Sequence, residues 1–344
     1  MRRLNVLTWH THGSYLYYLS QAPHEFHVLI KPDRPPGYGG RCGPFPFGHN
    51  VHDLPAEQAR TRAFDCILFQ EDHHWEKDQF ELLTPAQRAL PRIYLEHDPP
   101  RAHAGTASQA WVSDIRHPVD DPAELWPAEQ AEALRMLGVA PGRFTVLQLG
   151  RIVPRKGVDT VIQATALLRS LHAIDAQRLV EGGEVHADGH QGPEPARLRA
   201  LTDTLGIGEH VHFLGQQPRA ALRHCYGAAD VFVTMPWYEP FGITPVEAMA
   251  CARPVIGSEV GGIKSTVVDG GTGFLVPSRD PQAVAARLAT LYANPRLARS
   301  MGEAGLRRAY RHYTWRTVAQ QVAAVYGAVL DEARSPFSID LTQP

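Results

Sequence analysis

The chain has 344 residues, enough for two domains of ordinary size, and a net charge of −2 at pH 7. Its 34 basic and 36 acidic residues leave no broad basic surface of the kind that binds nucleic acid. No apolar run is long enough to span a bilayer, and the first residues lack a signal-peptide core. We therefore expect a cytoplasmic protein without a transmembrane segment, and leave peripheral contact with a membrane open.

The first part of the chain alternates apolar segments with helix-compatible ones. The predicted strands are Leu4–Trp9, Phe26–Ile30, Cys66–Gln70 and Ile93–Glu96, and the predicted helical segments are Tyr15–Ser20 and Trp75–Leu83. This alternation predicts a parallel α/β sheet. Residues 31–55 are rich in Pro and Gly, so we expect an ordered loop there, and residues 98–123 indicate an irregular connection.

A second α/β series begins at residue 144. Its predicted strands are Phe144–Leu149, Arg178–Glu181, Val211–Leu214, Val231–Met235 and Pro254–Ser258. Its predicted helices are Val158–Leu171, Pro195–Leu205, Pro218–Gly227, Pro245–Cys251, Pro281–Ala293 and Trp315–Asp331. The series predicts a second parallel sheet covered by helices. Residues 184–195 are polar and Gly-rich, which is typical of a surface loop.

The most informative segment is E-P-F-G-I-T-P-V-E-A-M-A at 239–250, where Glu239 and Glu247 stand at a predicted helix start. The first N–H groups of a helix lack partners and the dipole is positive there, so anions bind at such a point. Two carboxylates beside it suggest a ligand with both phosphates and hydroxyls, such as a nucleotide sugar. A local explanation stays open for Glu247, because Thr244, Pro245 and Glu247 match a capping box.

Basic residues follow the strand that ends at Leu149. Gly150, Arg151, Lys156 and Gly157 lie between this strand and the next predicted helix. A glycine, cations and a helix start are the parts of a phosphate clamp, although the G-x-x-x-x-G-K-[ST] spacing of a P-loop is absent. Most Lys and Arg residues are simply solvated at the surface. Because these residues follow the carboxyl end of a strand, phosphate binding is favoured over a purely solvated position.

Three other segments are weaker candidates. Gly261-Gly262 forms either a tight turn or a point where a ligand approaches the backbone. Gly13 follows the first strand, where a glycine suits a phosphate or merely the geometry of a turn. His97 ends a strand, at a position from which side chains reach ligand sites in α/β sheets.

Metal binding has little support in the sequence. The histidine pairs His10/His12 and His73/His74 would suit a metal ion, but no H-E-x-x-H-like spacing accompanies them. The four cysteines fall at unrelated spacings, which predicts neither a zinc site nor a disulfide framework and fits a reducing compartment. We therefore expect no metal.

Six motifs occur together in the second half. They are G-R-I-V-P-R-K-G at 150–157, V-H-F-L-G at 211–215, A-A-D-V-F-V at 228–233, E-P-F-G-I-T-P-V-E-A-M-A at 239–250, R-P-V-I-G-S-E-V-G-G at 253–262 and D-G-G-T-G-F-L-V at 269–276. In these motifs, residues 144–331 resemble the family-4 retaining glycosyltransferases. The resemblance implies the GT-B architecture, an α/β fold of two Rossmann-like parallel-sheet domains that face each other across a cleft.

The resemblance also implies roles for individual residues. In the family, the first Glu of an E-x7-E motif faces the donor sugar, the second holds the ribose, and an Arg and a Lys hold the diphosphate. These roles fall to Glu239, Glu247, Arg151 and Lys156. Further donor contacts are implied for Gly13, Gly150, Gly215, Gln216, the backbone of Phe241, Gly242 and Ile243, and for His97 beside the sugar.

The first half departs from the family pattern. Only about 45 residues separate His97 from the strand at Phe144, where the family has further strand and helix units. We therefore expect an abbreviated acceptor-side domain at 1–121, a linker at 122–142, a nucleotide-sugar-binding domain at 143–313, and a helix at 314–334 that crosses back onto the first domain. Ala252 also stands where the family usually has a glycine.

These implications predict a retaining, metal-independent hexosyltransferase. It would move a sugar from a nucleoside diphosphate sugar to the hydroxyl of an unknown acceptor, in glycan, glycolipid or cell-envelope polysaccharide synthesis. We expect no cofactor beyond this co-substrate. Two alternatives stay open: a non-catalytic nucleotide-sugar-binding protein with a degenerate acceptor domain, and a GT-B epimerase or phosphorylase. The motifs define neither the base, the sugar, the acceptor nor the oligomeric state.

Overall fold

A computed structural model describes residues 2–11, 16–17, 19–43, 45–95, 129–183, 193–218 and 221–334. The chain divides into two compact units, Met1–Pro118 with Trp315–Pro344, and Val119–Thr314. Each unit contains one sheet, and every strand pair in both sheets is parallel. The predicted α/β class with two parallel sheets is confirmed. The predicted connection at 98–123 and most of the predicted loop at 184–195 lie outside the described residues.

The first unit contains a five-stranded sheet in the order β3-β2-β1-β4-β5. Its strands are β1 Asn5–Thr8, β2 Glu25–Ile30, β3 Val51–Pro55, β4 Cys66–Phe69 and β5 Arg92–Tyr94. Its helical segments are a 3₁₀ turn Ala56–Thr61, a π-turn His74–Asp78, and the short helices α1 Gln79–Leu82 and α2 Pro85–Arg88. Thr84 and Gln87 close a capping box at the start of α2.

Successive residues of these strands point to opposite faces of the sheet and so feed two apolar clusters. Val6 and Phe26 belong to one cluster, and Leu7 belongs to the other. The first cluster also contains Val322 and Tyr326 of the last helix, Trp315–Arg334. This helix therefore covers one face of the first sheet, although it lies some two hundred residues further along the chain.

The second unit contains a six-stranded sheet in the order β11-β10-β9-β6-β7-β8. Its strands are β6 Phe144–Leu149, β7 Ala176–Glu181, β8 Val211–Gly215, β9 Val231–Thr234, β10 Val255–Ser258 and β11 Gly273–Val276. Its helices are α3 Gln130–Met136, α4 Val158–His172, α5 Pro193–Thr204, α6 Leu222–Ala228, α7 Ile243–Ala250, α8 Ile263–Thr266, α9 Pro281–Ala293 and α10 Pro295–His312. The last helix, Trp315–Arg334, is α11.

Buried apolar side chains cover both faces of this sheet. Leu147 and Phe232 pack on one face, and their chain neighbours Val146 and Val231 pack on the other. The near-continuous apolar strands of the sequence are explained by this double burial. Because all six strands are parallel, their carboxyl ends meet at one edge, and the loops that leave this edge carry the candidate site.

Several helices and strands differ from those predicted from the sequence. Residues 31–55 were expected to form a loop, but Val51–Pro55 is strand β3, and Phe26 pairs with Val51. A linker was expected at 122–142, but α3 lies within it and buries Ala133 and Leu134. Strand β11 and the whole of α10 were also missed.

Helix α10 was missed because its buried side is made of small residues. It buries Met301, Gly302, Gly305 and Ala309, a set with little apolar periodicity. A Cβ on Gly302 would overlap the backbone of Ala252, and one on Gly305 would lie 2.9 Å from the Cγ of Met249. The helix therefore approaches α7 and its C-terminal turn very closely. Within the described part of the chain, no helix has the length and hydropathy required to cross a bilayer.

Candidate functional site

Two glycines bring the ends of β6 and β7 together. Gly150 has φ +140° and donates its N–H to the carbonyl of Glu181 at 3.1 Å. Gly182 has φ +126°, and a Cβ there would overlap the carbonyl of Gly150. Only glycine adopts such angles easily and leaves this space. Arg151, which follows Gly150, is exposed and pairs with no acid among the described residues.

Lys156 ends a short 3₁₀ turn, Pro154–Lys156, just before α4. Its ammonium group pairs with the carboxylate of Glu239, and the two side chains are 20% and 15% exposed. The side-chain amide of Gln148 donates to the carbonyl of Lys156 at 3.0 Å. The backbone at Lys156 is thus attached to the end of β6, and its side chain to the loop after β9.

A small pocket lies at this edge of the sheet. It is lined by Gln148, Leu149, Gly150, Arg151, Ile152, Lys156, Val158, Val180, Glu181 and Thr234. Arg151 and Lys156 therefore border one pocket, and Lys156 also pairs with Glu239, in the loop that precedes α7. Strands β6 and β9 are neighbours in the sheet, which is why residues more than eighty positions apart in sequence meet here.

The loop that contains Glu239 rests on Gly261-Gly262. Gly262 donates its N–H to the carbonyl of Glu239 at 3.0 Å, and Gly261 has φ +41°. A Cβ on Gly261 would overlap the carbonyl of Glu239, and one on Gly262 would overlap Phe241. The two explanations offered for these glycines were a tight turn and the close approach of a ligand to the backbone. In the structure the approaching group is the chain's own E-P-F-G loop.

The capping-box explanation of Glu247 is wrong. Helix α7 begins at Ile243, Gly242 with φ +89° is its N-cap, and no side chain caps it. Thr244 is therefore already inside the helix, and Pro245 is tolerated because the first turn leaves its N–H groups unpaired in any case. Glu247 is 7% exposed and its carboxylate accepts a hydrogen bond of 2.6 Å from the hydroxyl of Tyr226.

Tyr226 was not identified from the sequence. It is fully buried on α6, and burial, together with the charge of Glu247, raises its pKa well above the ordinary value of 10.0. The phenol therefore stays protonated and acts as a hydrogen-bond donor to Glu247. Its position in H-C-Y-G-A-A-D gives no sign of this contact in the sequence, because the helix and the glutamate meet only in the folded sheet.

We expect Tyr226→Phe to destabilise the protein by about 1.5–3 kcal/mol, the usual contribution of a hydrogen bond to a charged group. The ring and its packing are kept, and only the donor to the buried Glu247 carboxylate is lost. Urea unfolding measures the effect. Tyr292→Phe is the matched control, because Tyr292 is 49% exposed, and it should change stability by no more than about 0.5 kcal/mol. Equal effects of the two substitutions would contradict the role assigned to Tyr226.

Glu181 is a second residue that the sequence analysis did not select. It ends β7, is 5% exposed, and accepts a hydrogen bond of 3.0 Å from the backbone N–H of Gln217. Burial raises its pKa, and the Gln217 bond lowers it by less. A glutamate at the carboxyl end of a predicted strand, just before two glycines, was the signal available in the sequence. Gly215, with φ +69°, accepts from the N–H of Gly182 at 2.9 Å.

Glu181→Gln is expected to remove a pH dependence from the stability of the protein. Because the folded-state pKa of Glu181 is raised, its stabilising contribution is complete below the unfolded pKa of about 4.3 and is lost as the pH rises through the folded pKa. Glutamine stays neutral and keeps an oxygen for the Gln217 amide. Urea unfolding from mildly acidic to neutral pH should show a flatter profile for Glu181→Gln, whereas the exposed control Glu303→Gln should follow the parent. Parallel profiles for Glu181→Gln and the parent would refute the assignment.

Of the remaining candidates, the structure describes Gln216, Phe241 and Ile243 but not Gly13 and His97. Gln216 is exposed, and it is Gln217 beside it that bonds to Glu181. Phe241 packs edge-on against Tyr313 with ring centres 6.0 Å apart, and Ile243 is 44% exposed at the start of α7. Gly13 and His97 lie outside the described residues.

The arrangement suits a polar, anionic ligand. Arg151 and Lys156 supply positive charge, and the start of α7 supplies N–H groups and the positive end of a dipole. Glu239 and Glu247 supply acceptors for hydroxyl groups. The charge pattern therefore matches a phosphate-bearing, hydroxylated molecule.

Comparison with known proteins identifies the family of the chain. Residues 130–308 match the family model described as glycosyl transferases group 1. A D-inositol 3-phosphate glycosyltransferase of Segniliparus rotundus is 35% identical over 290 residues, which cover 83% of this chain and 61% of the relative. One of Thermobifida fusca is 34% identical over 228 residues, which cover 66% of this chain and 52% of the relative. The chain thus spans little more than half the length of these relatives.

Solved structures show the same fold. Sucrose-phosphate synthase of Thermosynechococcus elongatus matches with a TM-score of 0.70 at 23% identity, over 96% of this chain and 100% of that one. HepE of Anabaena in complex with UDP matches with a TM-score of 0.71 at 18% identity, over 95% and 100%. The chain belongs to the glycosyl transferase group 1 family, and its fold is GT-B. The resemblance stated from the motifs is confirmed.

Proposed function

We propose that this protein is a retaining glycosyltransferase that moves a hexosyl group from a nucleoside diphosphate sugar to the hydroxyl of an acceptor. The observation that supports this most directly is that Arg151 and Lys156 line one pocket and that Lys156 also pairs with Glu239, in the loop that precedes α7. The family membership supports the same reaction class. The reaction belongs to the synthesis of a glycan, a glycolipid or a cell-envelope polysaccharide.

The cations act on the leaving group. As the bond from the anomeric carbon breaks, negative charge develops on the departing diphosphate, and preorganised donors stabilise that charge. Arg151, Lys156 and the N–H groups at the start of α7 are such donors. A charge-assisted hydrogen bond contributes about 1.5–3 kcal/mol, so two cations together account for about two to four orders of magnitude in rate. With this positive charge in place, the departure step uses no divalent ion.

The carboxylates hold the sugars. Glu239 accepts hydrogen bonds from hydroxyls of the transferred sugar, and Glu247 accepts them from the ribose. Tyr226 fixes the orientation of Glu247 through their 2.6 Å bond. Lys156 contacts the Glu239 carboxylate as well as the pocket, so its ammonium group links the sugar end of the donor to the diphosphate end.

The relatives indicate which substrates to test first. The curated relatives are D-inositol 3-phosphate glycosyltransferases, so a phosphorylated polyol is the first acceptor class to try. HepE was determined in complex with UDP, so uridine is the first base to try in the donor. Guanosine and adenosine diphosphate sugars complete the panel.

Donor turnover tests the proposal. The full chain is incubated with each donor, with and without acceptor, and the release of nucleoside diphosphate is followed together with the anomeric configuration of the product by NMR. Acceptor-dependent release with retained configuration is expected. Donor binding without turnover, against the whole acceptor panel, would instead identify a nucleotide-sugar-binding protein, and an inverted product would exclude the retaining mechanism.

A further inference from the structure

A second cluster of polar side chains lies in the first unit, where β4 ends. Glu71, His73 and His74 follow this strand, and each offers one ligand atom within 4.8 Å of the other two. His74 opens the π-turn His74–Asp78, a form of helix that is frequent at functional sites. None of these residues belongs to the pocket of the second unit.

His74 is buried without a hydrogen-bond partner. It is 0% exposed, its ring is stacked on Trp9 at 4.9 Å, and neither ring nitrogen has a partner among the described residues. Nearly all buried polar side chains are hydrogen-bonded, because leaving one unpaired costs about 1–3 kcal/mol. A partner at either ring nitrogen would remove this cost.

Both imidazoles point to a space that only a glycine leaves open. A Cβ on Gly37 would lie 2.6 Å from the Nε2 atom of His74 and 3.7 Å from the Nε2 atom of His73. Gly37 has φ +83°, so a larger residue would be strained there as well as crowded. The Nε2 atoms of His73 and His74 thus both lie close to the Cα atom of Gly37.

Carboxylates complete the set of possible ligands. Glu71 places Oε2 3.1 Å from the Nδ1 atom of His73. Asp78 is buried and places Oδ2 3.8 Å from the Nε2 atom of His73, and the hydroxyl of Tyr38 donates to that oxygen at 2.7 Å. Outer groups of this kind orient the ligands of metal sites.

We propose that Glu71, His73 and His74 bind one divalent transition-metal ion, with Asp78 as a fourth or outer ligand. Two imidazoles and a carboxylate are a ligand set that Zn²⁺ accepts, whereas Mg²⁺ and Ca²⁺ prefer oxygen ligands alone. The ion ties the turn after β4 to the segment at Gly37 and has no part in the proposed transfer.

No metal was expected from the sequence, because neither the histidine pairs nor the cysteines have the spacing of a known metal motif. His73 and His74 are adjacent, and adjacent residues on a regular α-helix point in different directions. Glu71 and the space at Gly37 complete the site. The space arises only in the fold, where Gly37 pairs with His10 after β1 and β1 lies beside β4.

Metal binding is tested on the full chain after chelation, by calorimetric titration with Zn²⁺ and by the visible spectrum after addition of Co²⁺. One equivalent of Zn²⁺ should bind, and Co²⁺ should give the absorption of a tetrahedral site with nitrogen and oxygen ligands. His73→Gln and Glu71→Gln should each weaken Zn²⁺ at least tenfold. Both side chains are partly exposed, at 47% and 39%, so these variants are expected to fold.

The control is His52→Gln. His52 is also an exposed histidine of the first unit that contacts a glutamate, Glu25, at 2.6 Å. It should leave the affinity of the one-equivalent site unchanged. The proposal is overturned if no stoichiometric Zn²⁺ binds, or if His52→Gln weakens binding as much as His73→Gln does. Because the readout is binding, the result is independent of whether sugar transfer is found.

Discussion

Replacing Lys156 with alanine is expected to lower kcat/KM for the nucleotide-sugar donor by about ten- to 150-fold, the equivalent of one lost charge-assisted hydrogen bond. The ammonium group both borders the pocket and pairs with Glu239. Its loss therefore removes one cation from the diphosphate and leaves a carboxylate uncompensated beside it. The two effects act in the same direction, so the larger end of this range is expected. Initial rates at varied donor concentration measure it.

Arg307→Ala serves as the control for Lys156→Ala. Arg307 is a cation of the same unit, 71% exposed on α10, and it pairs with Glu303 at 4.0 Å. Its removal changes the net charge equally but should leave the donor kinetics within twofold or so of the parent, as expected of a solvated surface ion pair. If Lys156→Ala behaved like Arg307→Ala, Lys156 would have no role in donor binding, and the proposed clamp would reduce to Arg151 and the helix start.

Gly157→Ala is expected to destabilise the second unit by about 2–5 kcal/mol. Gly157 has φ +61°, which costs a residue with a Cβ about 1–2 kcal/mol. The added Cβ would also overlap the carbonyl of Met235, and forced overpacking of this kind costs about 1–3 kcal/mol more. Because Gly157 precedes α4 and follows Lys156, relief of the overlap would displace the lysine from Glu239. Urea unfolding should report the loss of stability, and donor turnover should fall with it.

Gly206→Ala separates the two contributions. Gly206 has φ +64°, almost the same angle, but a Cβ there would meet nothing within 4 Å. It should cost only the backbone part, about 1–2 kcal/mol. The difference between the two variants measures the close approach of Gly157 to Met235. Equal losses of stability in Gly157→Ala and Gly206→Ala would mean that the loop at Gly157 relaxes around the extra methyl group. The close approach of Gly157 to Met235 would then not constrain the site.

Much of the second unit was predictable because its strands are buried on both faces. Such strands appear in the sequence as apolar runs, and the segments 144–149 and 231–235 matched β6 and β9 almost to the residue. The residues of the candidate site followed, since Arg151, Lys156 and Glu239 each come directly after such a strand.

What escaped prediction depends on contacts between distant segments. The predicted capping box at Thr244 was wrong because the N-cap of α7 is Gly242, two residues earlier. The φ of +89° at Gly242 is not visible in a string of residue types. Tyr226 and Glu181 gain their significance from burial beside partners elsewhere in the chain. Helix α10 escaped because it packs through glycine and alanine rather than through large apolar side chains.

The first unit was less accurately predicted because its elements are short. Strand β3 has the sequence V-H-D-L-P after a stretch rich in Pro and Gly, and its pairing with β2 rather than its composition makes it a strand. The turn after β4 was predicted as one helix, Trp75–Leu83, and instead contains a π-turn followed by α1. This irregularity places His74 beside Gly37, which no periodic pattern would indicate.

The path of α11 has a consequence for protein engineering. This helix follows the whole second unit in the chain but supplies Val318, Val322 and Tyr326 to the core of the first sheet. The amino-terminal unit is therefore discontinuous, while the carboxyl-terminal unit is one uninterrupted stretch. A chimera that exchanges donor halves between family members needs two junctions, near residues 119 and 314, and not one. A simple head-to-tail fusion would leave one apolar face of the recipient sheet without its covering helix α11 and yield aggregates instead of a hybrid enzyme.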